Sequence, residues 1–304
     1  MPNIPIRDVS LFVDVVGRGA PLVLMHGGPG LDHVSLMPFK RLADRHTLIF
    51  YDHRCNGRSA GAPVVSMTWE NLTADADALR ETLGYERWAV LGHSFGGHVA
   101  LEYALRYPDR VSKLVLLDTA GDARWSQENA ADVLADRGYS PATVAVARRF
   151  YRGRVEPKDF ARAAFRLLPA YDHRFSIVRA AHGMLAGGWR MKTHPEALTF
   201  GGQMMQGWSV MDRLDEIRVP TLVIAGHDDF LLPPESQALL AAGIPGATLR
   251  IIERAGHNPQ SERAKETLGC RRGLPRRRSP AGGTRAAETS RRRGRAESMR
   301  EIGS

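Results

Sequence analysis

The stretch that decides the fold is Trp88-Ala89-Val90-Leu91-Gly92-His93-Ser94-Phe95-Gly96. Its first four residues form an apolar run typical of a buried strand, and Phe95 opens a helical pattern that reaches Tyr107 and stops at Pro108, since proline cannot continue a helix. Strand, sharp turn and helix are the context in which a Gly-x-Ser-x-Gly sequence exposes its serine. Side chains in place of the two glycines would collide with the neighbouring strand and helix. The stretch therefore predicts a nucleophile at Ser94.

Similar apolar runs recur on both sides of this stretch, each ended by turn residues. Helix-like segments such as Thr73–Leu83 lie between them. Apolar strands that alternate with helices predict an α/β fold, with a mostly parallel, twisted sheet and helices on both faces. The predicted strands are Leu11–Val16, Leu22–Met25, Thr47–Tyr51, Trp88–Leu91, Leu114–Leu117, Thr221–Ala225 and Thr248–Ile252.

The alternation breaks between Thr119 and Leu214, where helix formers such as Pro141–Tyr151 and Pro157–Leu168 replace strands. About 90 helical residues are too many for one crossover connection. We interpret residues 119–214 as a helical cap inserted over the carboxyl edge of the sheet, where open α/β sheets bind ligands. The core of the fold is then split into residues 1–118 and 215–262.

A nucleophilic serine needs a base and a carboxylate that orients it. His257 follows the last predicted strand in the loop Glu253–His257, and from there it can reach back to Ser94. For the acid, the strand Thr221–Ala225 is followed by two aspartates. We favour Asp229 over Asp228 because Asp229 lies three residues past the turn glycine. A third candidate, Asp118, follows the strand Leu114–Leu117.

The glycine loop Met25-His26-Gly27-Gly28-Pro29-Gly30 also follows a predicted strand. Such a loop can point a backbone N–H at the space above the serine. We expect the N–H groups of Gly28 and Phe95 to form an oxyanion hole, with Gly27 as the alternative first donor. Gly27 and the cap residues Trp189 and Trp208 are candidate substrate contacts, although cap aromatic residues more often pack a cap onto its sheet.

The net charge of +9 comes from one end of the chain. Residues 263–304 hold 12 Arg and one Lys against four Glu, so the remainder is neutral. This Gly-, Pro- and Ala-rich segment is predicted to be a disordered basic tail. We hypothesise that it is an out-of-frame end that replaces a final helix begun at Ser261–Arg272. Because the charge is confined there, we do not expect nucleic acid as a partner.

Several protein classes are disfavoured by what the sequence lacks. Two cysteines cannot make a disulfide framework, and the chain holds no Cys-x-x-Cys pair, so we expect neither a metal nor a cofactor. The N-terminus has no signal-peptide core, and no apolar run reaches the roughly 20 residues of a membrane helix. We expect a cytoplasmic protein with no membrane partner. The sequence leaves the oligomeric state open.

These motifs stand in the order found in the α/β-hydrolase superfamily, which the chain resembles over roughly residues 8–262. Within it, the His-Gly-Gly-Pro-Gly loop at 26–30 and the Asp-x-Arg-x-x-Gly-x-Ser loop at 52–59 are most similar to the proline iminopeptidase-like group of serine peptidases. The resemblance implies Ser94 as nucleophile, Asp229 as acid, His257 as base and a helical cap that selects the substrate. The turn that carries Ser94, Gly-His-Ser-Phe-Gly-Gly at 92–97, is called the nucleophile elbow. This version of the elbow is commoner among esterases, lactonases and carbon–carbon bond hydrolases than among proline iminopeptidases.

We therefore expect a cofactor-free serine hydrolase that acts through an acyl-enzyme on a small molecule or short peptide. The preferred reading is an aminopeptidase for N-terminal proline or small residues. The alternative is a hydrolase of esters, lactones or carbon–carbon bonds. A third reading is a ligand receptor of hydrolase fold with little turnover, which a single-turnover burst without steady-state hydrolysis would reveal.

Overall fold

The computed structural model describes residues 3–178 and 191–269. Its centre is an eight-stranded sheet with the spatial order β1-β2-β4-β3-β5-β6-β7-β8. β2 pairs antiparallel with β1 and β4, and the remaining neighbours pair parallel. The mostly parallel sheet predicted from the sequence is thus confirmed. The strands are Asn3–Ile6 (β1), Val9–Gly17 (β2), Ala20–Met25 (β3), His46–Tyr51 (β4), Trp88–His93 (β5), Val111–Leu117 (β6), Thr221–Gly226 (β7) and Thr248–Ile252 (β8).

All seven predicted strands are present, and most begin a few residues earlier than predicted. The edge strand β1, whose four residues include Pro5, was not predicted from the sequence. A proline inside an apolar run argues against a strand except at a sheet edge, and β1 occupies that edge.

Helices cover both faces of the sheet. In β3, Val23 belongs to an apolar cluster with Val99 of the helix that follows Ser94. Its neighbour Leu24 belongs to a separate cluster with Leu36, because successive strand residues point to opposite faces. The α-helices of the described residues are Trp69–Thr82 (α1), Phe95–Arg106 (α2), Ala130–Asp136 (α3), Pro141–Phe150 (α4), Phe160–Leu167 (α5), Pro195–Met204 (α6), Pro234–Gly243 (α7), Pro259–Glu262 (α8) and Ala264–Gly269 (α9).

Helices α3 to α6 lie between β6 and β7 in the chain. Phe150 and Leu167 from these helices join Phe230 and Leu232, which follow β7, in a third buried apolar cluster. The helical stretch therefore packs over the carboxyl end of the sheet, where parallel strands present their loops. The division into a core of residues 1–118 and 215–262 with a cap of residues 119–214 stays a prediction.

Little of the basic tail 263–304 falls within the described residues. Helix α9 is the start of the helix predicted at Ser261–Arg272, and it is anchored by Thr267, whose buried hydroxyl donates to the backbone oxygen of Pro259 across 2.9 Å. Residues 270–304 lie outside the described part of the chain, and so does the predicted disorder.

Candidate active site

Ser94 lies on a strained turn between β5 and α2. Its backbone has φ of 53° and ψ of −123°, a conformation that L-residues other than glycine rarely adopt. A Cβ added to Gly96 would lie 2.1 Å from the backbone oxygen of Met25, and one added to Gly92 would lie 2.4 Å from the backbone oxygen of Gly96. Both glycines are therefore required by close backbone approach, as the sequence predicted.

The side chain of Ser94 does not cap the helix whose N-cap position it occupies. Its hydroxyl instead lies 2.9 Å from Nε2 of His257. The other ring nitrogen, Nδ1, lies 2.7 Å from Oδ2 of Asp229. Because an ionised carboxylate can only accept, Nδ1 carries the hydrogen and Nε2 is left to accept the hydroxyl proton of Ser94. The three residues predicted as nucleophile, base and acid are brought together in one hydrogen-bonded chain.

Asp229 is fully buried and held in place by the loop after β7. Its Oδ1 accepts hydrogen bonds from the backbone N–H groups of Leu231, at 2.9 Å, and Leu232, at 3.2 Å. One carboxylate oxygen is thus occupied by the backbone, and the other faces His257. Two N–H donors and the imidazole satisfy the buried carboxylate and fix its orientation.

The ring of His257 is buried and lies beside a carboxylate, and these two conditions act on its pKa in opposite directions. Burial lowers the pKa, because the charged form loses its hydration. The charge of Asp229 and its hydrogen bond raise the pKa, an ionised Asp118 would raise it by a smaller amount, and the net result is a pKa above the ordinary histidine value. The site is therefore suited to take up a proton and to hold the resulting imidazolium.

The glycine loop after β3 lies directly against Ser94. A Cβ added to Gly27 would lie 3.0 Å from the Cβ of Ser94. The ring of His26 accepts the N–H of His53 at Nε2, across 3.1 Å, so its Nδ1 carries a hydrogen and donates to the backbone oxygen of Gly27, across 3.0 Å. In a trans peptide the C=O and the next N–H point in opposite directions. His26 therefore fixes the direction in which the N–H of Gly28 points.

The competing aspartates occupy different environments. Asp228 is about one-third exposed, and its carboxylate bonds the rings of His173 and His227. Asp118 is fully buried, and its Oδ1 accepts the backbone N–H of Gly226 across 2.7 Å. Among the described contacts, neither residue bonds His257.

The candidate substrate contacts in the cap are only partly described. Trp208 is buried, its ring lies 4.5 Å from that of His98, and its Nε1 donates to Glu102 across 2.8 Å. These contacts pack the segment between α6 and β7 onto α2. Trp189 lies outside the described residues. Its role, like those of Trp208 and Gly27 as substrate contacts, stays a prediction.

Most of the described cap carboxylates are exposed or half-buried. Glu128, Asp132, Asp136, Glu156 and Glu196 are exposed, whereas Asp159 and Asp172 are half-buried. The cap carboxylate buried within the described residues is Asp122, which is bonded by the guanidinium of Arg124. The described cap arginines are also exposed, apart from the half-buried Arg152 and Arg213. The Nε of Arg152 donates to the backbone oxygen of Gln127, and Arg213 pairs with Glu216.

Three further residues support the site in ways that the sequence analysis did not find. Asn56 accepts the backbone N–H of Gly30, across 2.5 Å, and so braces the glycine loop. The backbone oxygen of Tyr171 accepts the N–H of His257 across 2.8 Å. Glu262 accepts the N–H of Gly256 at one oxygen and that of His173 at the other, across 2.7 and 2.9 Å. Asn56 lies in the quoted loop 52–59, but the other two act through tertiary contacts that leave no local sequence pattern.

Some functions are not supported by the described part of the chain. Within residues 3–178 and 191–269, no helix is long and apolar enough to cross a bilayer. In the same ranges, no group of three His, Cys, Asp or Glu side chains is arranged to hold a metal ion.

A family model described as the alpha/beta hydrolase fold matches residues 20–264. The chain therefore belongs to the α/β hydrolase fold family, and the prediction of an α/β-fold hydrolase is confirmed. The matched range ends in α9, before the most arginine-rich part of the chain.

Individual relatives show what the chain is similar to. It is 27% identical over 269 residues to proline iminopeptidase PfmaB of Pestalotiopsis fici, which covers 86% of this chain and 94% of that protein. It is 26% identical to 2-hydroxy-6-oxo-6-phenylhexa-2,4-dienoate hydrolase of Comamonas testosteroni, with 86% and 89% covered. The crystal structure of proline iminopeptidase from Mycobacterium smegmatis matches with a TM-score of 0.69 and 26% identity over 88% of this chain and 95% of that one. The predicted similarity to the proline iminopeptidase-like group is confirmed.

Proposed function

We propose that this chain is a cofactor-free serine hydrolase in which Ser94, His257 and Asp229 form a catalytic triad. The observation that carries the proposal is the hydrogen-bonded chain from the Ser94 hydroxyl through the His257 ring to the Asp229 carboxylate. Oγ of Ser94 lies 2.9 Å from Nε2 of His257, and Nδ1 of the same ring lies 2.7 Å from Oδ2 of Asp229. Those distances suit direct proton transfer from the hydroxyl to the ring.

In the first half of the reaction, Nε2 of His257 takes the hydroxyl proton while Oγ of Ser94 attacks the substrate's carbonyl carbon. The imidazolium is stabilised by the carboxylate of Asp229, which also keeps the proton on Nδ1 in the resting state. The proton on Nε2 then passes to the leaving group, and the acyl group remains on Oγ. In the second half, Nε2 of His257 takes a proton from a water molecule that attacks the acyl carbon. As the bond from that carbon to Oγ of Ser94 breaks, the same proton passes from Nε2 to Oγ, which releases the acid and restores Ser94.

The negative charge on the attacked carbonyl oxygen needs donors that are already oriented. We assign this role to the N–H groups of Gly28 and Phe95. The α2 terminus supports the second donor, because its first N–H groups have no side-chain cap. The His26–Gly27 hydrogen bond supports the first, because it sets the orientation of the peptide that carries the Gly28 N–H.

For the bond cleaved, we prefer an N-terminal prolyl or small-residue amide. The quoted glycine loop and the similarity to proline iminopeptidases from a fungus and a mycobacterium support this choice. A second candidate is an uncharged ester, lactone or carbon–carbon substrate. The state of the described cap carboxylates favours this candidate. The free amine of a peptide substrate would need a carboxylate partner, and the buried Asp122 is already paired with Arg124.

The cap, the compartment and the basic tail also belong to this proposal. We propose that residues 119–214 close over Ser94 and select the substrate, and that the enzyme works in the cytoplasm on small molecules or short peptides. The contact of Tyr171 with His257 supports a cap that reaches the site.

The test compares hydrolysis of proline p-nitroanilide with that of a p-nitrophenyl acyl ester, in the full chain and in Ser94→Ala. We expect Ser94→Ala to lose at least about 10³-fold in kcat/KM. The matched control is Ser112→Ala, which should retain full activity. Ser112 lies near the amino end of β6, whereas Ser94 follows the carboxyl end of β5. Amide hydrolysis alone supports the aminopeptidase and ester hydrolysis alone supports the second candidate. Turnover that survives in Ser94→Ala would overturn the triad.

A further inference from the structure

Asp118 directly follows β6 and has an unusual backbone conformation. Its φ is 43°, a left-handed value that is uncommon outside glycine and is best tolerated by Asn and Asp. The side chain is fully buried. A carboxyl group lies here despite strain and burial, so its contacts need an explanation.

The contacts of Asp118 fasten the loop that carries Asp229. Oδ1 accepts the N–H of Gly226, where that loop begins, across 2.7 Å, and lies 3.5 Å from the amide of Gln237. The same amide donates to the backbone oxygen of Leu232, at the far end of the loop, across 2.8 Å. Asp118 and Gln237 thus hold both ends of the segment 226–232.

The second oxygen of Asp118 is in a different situation. Oδ2 is buried and has no hydrogen-bond partner within the described residues. Asp229 and His257 are the titratable groups that act on Asp118, and Gln237 of α7 is neutral. Burial raises the pKa of Asp118 well above its usual value, and the charge of Asp229 raises it further. An ionised carboxylate with one unpartnered oxygen in this setting would be strongly disfavoured.

We infer that Asp118 is a positioning residue that is protonated in the resting enzyme and fastens the Asp229 loop as a neutral acid. The inference rests on the proposed function of Asp229 and His257. A neutral Asp118 supplies a carbonyl acceptor for Gly226 without adding a second negative charge behind His257. With Asp118 neutral, Asp229 is the carboxylate whose charge raises the pKa of His257.

Infrared difference spectroscopy tests the protonation state without relying on activity. A protonated buried carboxyl group has a C=O stretching band well separated from the amide bands, and the band shifts on transfer to deuterium oxide. We expect this band at neutral pH in the full chain and in the control Asp228→Asn, and we expect its loss in Asp118→Asn. Identical spectra of the full chain and Asp118→Asn would overturn the inference.

Kinetics of the same variants test the positioning role. Asn keeps a neutral carbonyl acceptor and tolerates the left-handed backbone, so Asp118→Asn should stay within about threefold of full kcat with an unchanged acid limb of the pH profile. Asp118→Ala removes the acceptor and should lower kcat by about 10- to 100-fold with little change in KM. If Asp118 were ionised, Asp118→Asn would shift the acid limb to lower pH by about one unit, which would contradict the inference. Should neither substrate be hydrolysed, the infrared result still decides the inference, so its failure is separate from that of the proposed function.

Discussion

The Nε2–H of His93 donates a hydrogen bond to the backbone oxygen of His257 across 2.9 Å. His93 is the residue before Ser94 on β5, and His257 follows β8, which is three strands away in the sheet. The bond joins the turn at Ser94 directly to the loop of His257. Burial, with a smaller contribution from His257, lowers the pKa of His93 to about 3, so its ring is a neutral donor at all working pH values.

Loss of this link should loosen the geometry between base and nucleophile. We expect His93→Ala to lower kcat by about tenfold or more, because small misplacements of reacting groups are costly. His93→Gln can restore an N–H donor and should recover part of the loss. Steady-state kinetics with the better substrate would measure both. His227→Ala, an exposed histidine variant, is the control and should be unaffected; equal kcat in His93→Ala and the full chain would refute the link.

The raised pKa of His257 predicts the position of the acid limb. The proposed mechanism needs neutral His257. Burial lowers the pKa of this ring, but its pKa lies above the ordinary histidine value, and Asp229 is the strongest of the groups that raise it. Activity should therefore fall as pH drops through an apparent pKa higher than the usual value of about 6.5. A profile of log kcat/KM against pH would show this limb, and removal of the charge in Asp229→Asn should move any residual limb to lower pH. A limb below pH 6 in the full chain would contradict the prediction.

The glycines of the elbow should differ in stability cost from glycines in open turns. Gly96→Ala places a Cβ 2.1 Å from backbone oxygen in β3, so the strand and helix must separate, and we expect a loss of about 3 kcal/mol or more in the free energy of unfolding. Gly84→Ala has open space around its Cβ but a φ of 76°, so it should lose only about 1–2 kcal/mol. Denaturant titration of both variants would compare them. Equal losses would show that backbone conformation, rather than crowding, sets the cost.

A buried ion pair between Arg54 and Asp75 should contribute to stability. Arg54 is fully buried, and its Nε and Nη2 donate to the two oxygens of Asp75 across 2.6 and 2.8 Å. Asp75→Ala leaves the cation without its main partner, and we expect a loss of about 3–5 kcal/mol in unfolding free energy. Asp44→Ala breaks the exposed pair with Arg45 and should change stability by less than about 1 kcal/mol. Comparable effects of the two variants would contradict this assignment.

The sequence predicted the elements whose signals are local. Seven of the strands, the elbow at Ser94 and the candidate residues Asp229 and His257 all follow from apolar runs, glycine spacing and strand ends. Strand β1 was missed because Pro5 interrupts a run of only four residues, whose pairing with β2 and burial of Ile6 are tertiary contacts. The hydrogen bond from His93 to His257, the contacts of Glu262, and the contacts of Asp118 and Gln237 with the 226–232 loop could not be predicted in this way. Each includes a contact between residues more than 75 positions apart in the chain, which neither propensity nor periodicity can indicate.

The two bonds of Glu262 have a consequence for how this enzyme would discriminate among substrates. One carboxylate holds both His173, beside Tyr171, and Gly256, beside His257. An oversized substrate that pushes the 171–173 segment outward would therefore move His257, the proposed proton acceptor, away from Ser94. Such a substrate would bind and then react slowly, so the enzyme would reject it mainly through a reduced kcat, with KM little altered.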